Sequence, residues 1–105
     1  YHFEGRCALI YITKEMVQTT GVDGTDLEGI TGIPRSIEGV DVGITMRQQP
    51  SGSYKVSVRT TPEYDAAAIC ARLGGGGHRQ AAGCEIIGEL SNVKAAVLSE
   101  VEKQL

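Results

Sequence analysis

Gly74-Gly75-Gly76-Gly77-His78-Arg79-Gln80-Ala81-Ala82-Gly83 is the stretch on which the reading of this 105-residue chain turns. Four consecutive glycines strip away every side chain, so a ligand can approach the backbone closely. They also permit positive φ. Gly76 is expected to need it, so that a β-branched residue there would be strained. Successive N–H groups in such a turn point into one concavity and hold an anion. His78 then supplies a titratable donor and Arg79 a fixed positive charge. Ala81, Ala82 and Gly83 are small, which suits a backbone packed close to the loop. The competing reading is a flexible linker. Against it, an apolar-periodic segment leads into the run and a strand-like one leads out. The functional reading is a phosphate or nucleotide cradle made by Gly74, Gly75, Gly76, Gly77, His78 and Arg79.

Working outward, Tyr64 or Asp65 opens a helix running to about Leu73, with Ala66, Ile69, Cys70 and Leu73 as its apolar stripe. The glycines end it. Downstream, Cys84–Ile87 reads as a short strand. Ser91 caps a last helix in which Val93, Val97, Val101 and Leu105 recur at i+4, with Leu98 alongside. Upstream, Tyr54–Thr60 alternates, with Val56 and Val58 inward and Lys55, Ser57 and Arg59 on the polar face. Val40, Val42, Ile44 and Met46 alternate with Asp41, Gly43, Thr45 and Arg47, a strand with one buried face. Pro50-Ser51-Gly52 between these two strands marks a short hairpin turn. Cys7–Ile12 is apolar at consecutive positions, as in a strand buried on both faces near the middle of a sheet. Thr19–Asp26 reads as loop, and Asp23 or Thr25 caps a short helix around Asp26–Thr31 that Pro34 ends. The sum is one α+β domain over residues 1–105, a mixed sheet of about four or five strands with helices packed on it.

The net charge of −3 and pI of about 5.3 argue against gripping long nucleic acid by bulk electrostatics. A local phosphate site needs only two or three cations and some N–H groups. There is no apolar run long enough for a membrane span. The chain begins Tyr1-His2-Phe3-Glu4, without a signal peptide or an initiator Met, and reads as a piece of a longer, cytoplasmic protein. Cys7, Cys70 and Cys84 sit in apolar surroundings and read as buried thiols. Zinc is not expected, because no CxxC pair occurs. Asp23, Asp26, Glu28, Glu38 and Asp41 are scattered, and with only His78 well placed they do not make the converging ligand set of a two-metal phosphoesterase. A Gly-x-Ser-x-Gly elbow is absent, as is a Lys-Ser/Thr after the glycines.

GGGGHRQAAG resembles the glycine-rich His motif of the DHH-associated C-terminal domain, which follows the catalytic DHH domain of bacterial phosphoesterases. Pro34-Arg35-Ser36-Ile37-Glu38-Gly39-Val40, Val56-Ser57-Val58-Arg59-Thr60 and the Ala8–Lys14 strand extend the resemblance from about Arg6 onward. It is most similar to the oligoribonuclease/pAp phosphatases. The same domain in cyclic-dinucleotide phosphodiesterases or RecJ-type exonucleases is the alternative. A non-catalytic nucleic-acid-binding module and an oligomerisation domain are further ones. The resemblance implies a preceding DHH domain, absent from this chain, that holds two Mn²⁺ ions, with no metal bound here and no catalysis by this chain alone. It also implies short RNA oligonucleotides or pAp as ligands. Arg59 becomes a phosphate clamp, since a guanidinium binds phosphate oxygens bidentately, with Lys55, Ser57 and Arg47 as neighbours that assist.

Overall fold

The computed structural model describes residues 5–13 and 39–105. The expected Thr19–Asp26 loop, the helix around Asp26–Thr31 and most of the Pro34–Val40 motif lie outside them. Five strands form one mixed sheet: β1 (Cys7–Ile12), β2 (Val42–Gln48), β3 (Tyr54–Thr60), β4 (Gly76–His78) and β5 (Ala81–Ile86). Their spatial order is β1-β2-β3-β5-β4. β1 and β2 are parallel, and the other pairs are antiparallel. Residues 13–41 between β1 and β2 are long enough for the crossover a parallel pair needs. With helices α1 (Ala66–Ala71) and α2 (Leu90–Glu102), the domain is α+β, as the sequence implied. No helix among the described residues is long and apolar enough to cross a membrane.

The period of two along each strand sorts the side chains. Val42, Ile44 and Met46 of β2, Val56 and Val58 of β3 and Cys84 of β5 share one face with Cys7 of β1. Ala66, Ile69 and Cys70 of α1, and Val93, Val97 and Val101 of α2, close over that face. All of these are buried, and together they form the core. Burying a Val or Ile side chain in such a core is worth roughly 1.5–3 kcal/mol. Burial holds the Cys7 thiol up at about 11, because a thiolate would sit there without solvent. The chain end is fastened by an amide clamp. Gln104 accepts from the Asp65 N–H at 2.8 Å and donates to the Asp65 carbonyl at 2.9 Å.

Three expectations change. β1 is an outer strand among the described residues, not a central one, and Tyr11 is exposed. A consecutive apolar run is silent about which neighbours pair with its edges, and here only Cys7 and Ala8 are fully covered. β2 is the strand buried on both faces: Gly43 and Thr45 are buried as well as Val42, Ile44 and Met46. The last helix begins at Leu90, so Ser91 lies inside it. Glu89 stands at the cap position and makes no side-chain cap bond.

Candidate functional site

The glycine run is not one turn. Gly74 (φ 89°) ends α1: its N–H donates to the Ala71 carbonyl, and the Gly75 N–H donates to the Cys70 carbonyl at 2.8 Å. This bond pair closes many helices at a left-handed glycine. Gly75 passes directly over β5. A Cβ there would lie 2.2 Å from the Gly83 carbonyl oxygen and 2.5 Å from the Cys84 Cβ. Gly76 and Gly77 then run as the edge strand β4. A Cβ on Gly77 (φ 149°) would meet the Ala82 Cα at 2.6 Å. Gly76 has open space around its Cβ position and is not in the positive-φ region. The strain expected at Gly76 therefore belongs to Gly74 and Gly77. The expected nest of four successive amides is likewise replaced, because the Gly74 and Gly75 N–H groups already cap α1.

Register sets the site. Directly opposed residues share a face. Arg59 of β3 faces Ala81 of β5, which faces His78 of β4. Ser57 faces Gly83, which faces Gly76. Arg59 and His78 thus stand on the face away from the helices, two strand spacings or roughly 10 Å apart. Between them the floor is Ala81, Gly83 and Gly76, which have little or no side chain. The result is a shallow groove of about 270 Å³ lined by Ser57, Arg59, Gly76, Gly77, Ala81 and Gly83, among others. His78 flanks it at the sheet edge. This volume falls just below the roughly 300 Å³ at which small-molecule pockets begin, so the groove is shallow.

The hairpin tip is bolted in place. Arg79 and Gln80 turn between β4 and β5. The Arg79 carbonyl accepts from the Ala66 N–H at 2.6 Å, and the Gln80 carbonyl accepts from the Thr60 N–H at 3.0 Å. Buried Thr60 adds a hydroxyl bond to the Tyr64 carbonyl at 3.0 Å. These bonds fix where His78 emerges. The Arg79 side chain points elsewhere, to Asp65 at 3.8 Å, at the start of α1. Asp65 also caps that helix by accepting from the Ala68 N–H at 3.0 Å.

Charge pairing separates the cations further. Arg6 is paired with Asp41, Arg72 and Lys103 with Glu100, and Arg79 with Asp65. Arg59, Lys55 and His78 have no hydrogen-bond or ion-pair partner among the described residues, and Arg59 and Lys55 protrude from the same face of one strand. A guanidinium held on a rigid strand without a partner, beside a floor of glycines, suits the oxygens of a phosphoryl group. Of the residues singled out from sequence, the structure brings Arg59, Gly76, Gly77 and His78 together. It places Gly74, Gly75 and the Arg79 side chain on the α1 side. Among the described residues, no three His, Cys, Asp or Glu side chains gather as a metal site would require. The Gln49–Ser53–Glu85 cluster beside the groove was not signalled by any motif. Gln49 and Ser53 are neighbours across the β2–β3 turn, and Glu85, remote in sequence, is brought to them by the β3–β5 register.

The model of the DHHA1 domain matches residues 9–105, nearly the whole chain. The chain belongs to the DHHA1 domain family. It is 32% identical over 106 residues to the bifunctional oligoribonuclease and PAP phosphatase NrnA of Thermus thermophilus, covering all of this chain and 31% of that protein. Among solved structures, an exopolyphosphatase-related protein from Bacteroides fragilis superposes with a TM-score of 0.88 at 28% identity, over 98% of this chain and 31% of that one. The pGpG-specific phosphodiesterase PggH of Vibrio cholerae shares the fold, with a TM-score of 0.59 at 13% identity, over 93% of this chain and 34% of that one. This DHHA1 chain therefore spans about a third of the length of the relatives it matches.

Proposed function

We propose that this DHHA1 domain holds the phosphate end of a short oligoribonucleotide or of pAp for a DHH catalytic domain that precedes it in the same protein. The observation that carries the reading is the row Arg59–Ala81–His78 across β3, β5 and β4, with unpaired basic side chains flanking a floor of small residues. The relation to the Thermus thermophilus enzyme supports the substrate class. The family resemblance implies two Mn²⁺ ions in the DHH domain, and these would supply an activated water for phosphoester hydrolysis.

The work of this chain is positioning. Arg59 donates two parallel hydrogen bonds to phosphate oxygens, and His78 donates a ring N–H from the opposite side. Gly76 and Gly77 let the ligand approach the backbone. Fixing one phosphoryl group between rigid strands orients the rest of the substrate, and good orientation removes several kcal/mol of barrier. The test is kinetic. In a protein carrying both domains, Arg59→Ala and His78→Ala should each lower kcat/KM on a short oligoribonucleotide by about tenfold to a hundredfold, the loss of a charge-assisted bond of roughly 1.5–3 kcal/mol. Unchanged kcat/KM in both variants would reduce the groove to a structural feature.

A further inference from the structure

Lys55 and Glu85 are direct cross-strand partners on the groove face. Opposite charges so placed ordinarily pair. Here they do not. Glu85 accepts instead from the Ser53 hydroxyl at 2.7 Å and from the Gln49 amide. Ser53 is buried in the turn after β2, and its hydroxyl also lies 3.0 Å from that of Ser51. The carboxylate is thus turned onto the β2–β3 turn. Lys55 is left exposed with no hydrogen bond or ion pair to any other described residue.

A second concavity of about 310 Å³, lined by Gln49, Lys55, Gly83, Cys84 and Glu85, adjoins the groove, and Gly83 lines both. Gly83 has no side chain to divide them. A Cβ there would approach the Val56 carbonyl to 3.2 Å. Lys55 lies four residues from Arg59 on the same face, roughly 14 Å along the strand, with Ser57 and Gly83 midway.

We propose that Lys55 is a second anion subsite, which reads a second phosphoryl group on the ligand, and that Gln49 and Ser53 keep it available by holding Glu85 away. This rests on the groove being a phosphate site. It goes further by assigning a residue that separates ligands with two phosphoryl groups from those with one. Gln49 and Ser53 are positioning residues, since they act through Glu85.

The test measures dissociation constants of this chain for adenosine 5′-monophosphate and adenosine 3′,5′-bisphosphate at low salt. The wild type should favour the bisphosphate. Lys55→Ala should weaken the bisphosphate by about tenfold, as expected for one charge-assisted bond, and leave the monophosphate unchanged. Gln49→Ala combined with Ser53→Ala should also weaken only the bisphosphate, because both bonds that hold Glu85 are gone and it then pairs with Lys55. Adding Glu85→Gln to that double variant should restore it, a recovery that simple damage to the turn would not give. Equal loss for both ligands in Lys55→Ala, or no loss for either, overturns the subsite. Arg59→Ala separates the two readings. If it leaves monophosphate binding unchanged, the phosphate groove itself fails, whatever Lys55 does.

Discussion

β3 carries Tyr54, Val56, Val58 and Thr60 on one face and Lys55, Ser57 and Arg59 on the other. The first four are buried beneath the helices, and each is matched across the sheet by another core-facing residue. On the other face Arg59 and Lys55 are exposed and unpaired, and the β5 residues opposite Arg59 and Ser57, Ala81 and Gly83, are small. One face is filled, and the other is open along β5 and β4. A sheet that only needed stability would have paired Lys55 with Glu85 and placed a larger side chain at Ala81. Along one seven-residue strand, the alternation of the backbone separates the core from the face to which we assign binding.

The glycine run gives the sharpest way to break that comparison. Gly75→Ala should cost at least about 3 kcal/mol, the upper end of overpacking penalties, because its Cβ would collide with β5 backbone that cannot move without losing the sheet. Urea unfolding of the variant measures this, and near-wild-type stability would mean that β4 does not sit on β5 as described. Val58→Ala should cost about 2 kcal/mol by the same measurement, through lost burial and a residual cavity. Its neighbour Arg59→Ala should change stability by no more than about 0.5 kcal/mol while weakening phosphate binding.

The core face also rejects charge, and this sets a pH arm. The Cys7 thiol is raised by burial from its ordinary 9.0 to about 11. Stability from this group is complete below pH 9 and declines as pH rises through about 11, because the unfolded chain ionises first. Cys7→Ala should flatten that arm in a series of unfolding curves from pH 8 to 11. An unchanged slope would place Cys7 in a wetter site. The smallest effect belongs to Gly76→Ala. Its Cβ meets nothing within 4 Å and lies on the groove face, so stability should stay within about 0.5 kcal/mol of wild type. Binding should fall modestly as the floor rises.

The filled face was legible in the sequence because alternation and helical spacing are local. Val56, Val58, Ile69, Val93, Val97 and Val101 were all placed inward from spacing alone, and all are buried. The outer position of β1 among the described residues was not legible, because burial of Cys7 and Ala8 does not reveal which strands lie beside them. Arg59 and His78 were singled out one by one, but their alignment across Ala81 depends on pairings between β3, β5 and β4. The roles of the four glycines diverge for the same reason. Gly74 answers to α1, whereas Gly75 and Gly77 answer to β5, and identical letters cannot carry that difference.

Amide chemical-shift mapping of the ¹⁵N-labelled chain with adenosine 5′-monophosphate tests the central claim most directly. The two-faced sheet predicts the largest changes at Arg59, Gly76, Gly77, His78 and Gly83. It predicts small ones at Gly75, whose N–H is held by the Cys70 carbonyl, and along Val93–Leu105. Changes confined to the Val93–Leu105 segment, with Arg59 and Gly76 silent, would put the binding site on the other side of the molecule and contradict the account.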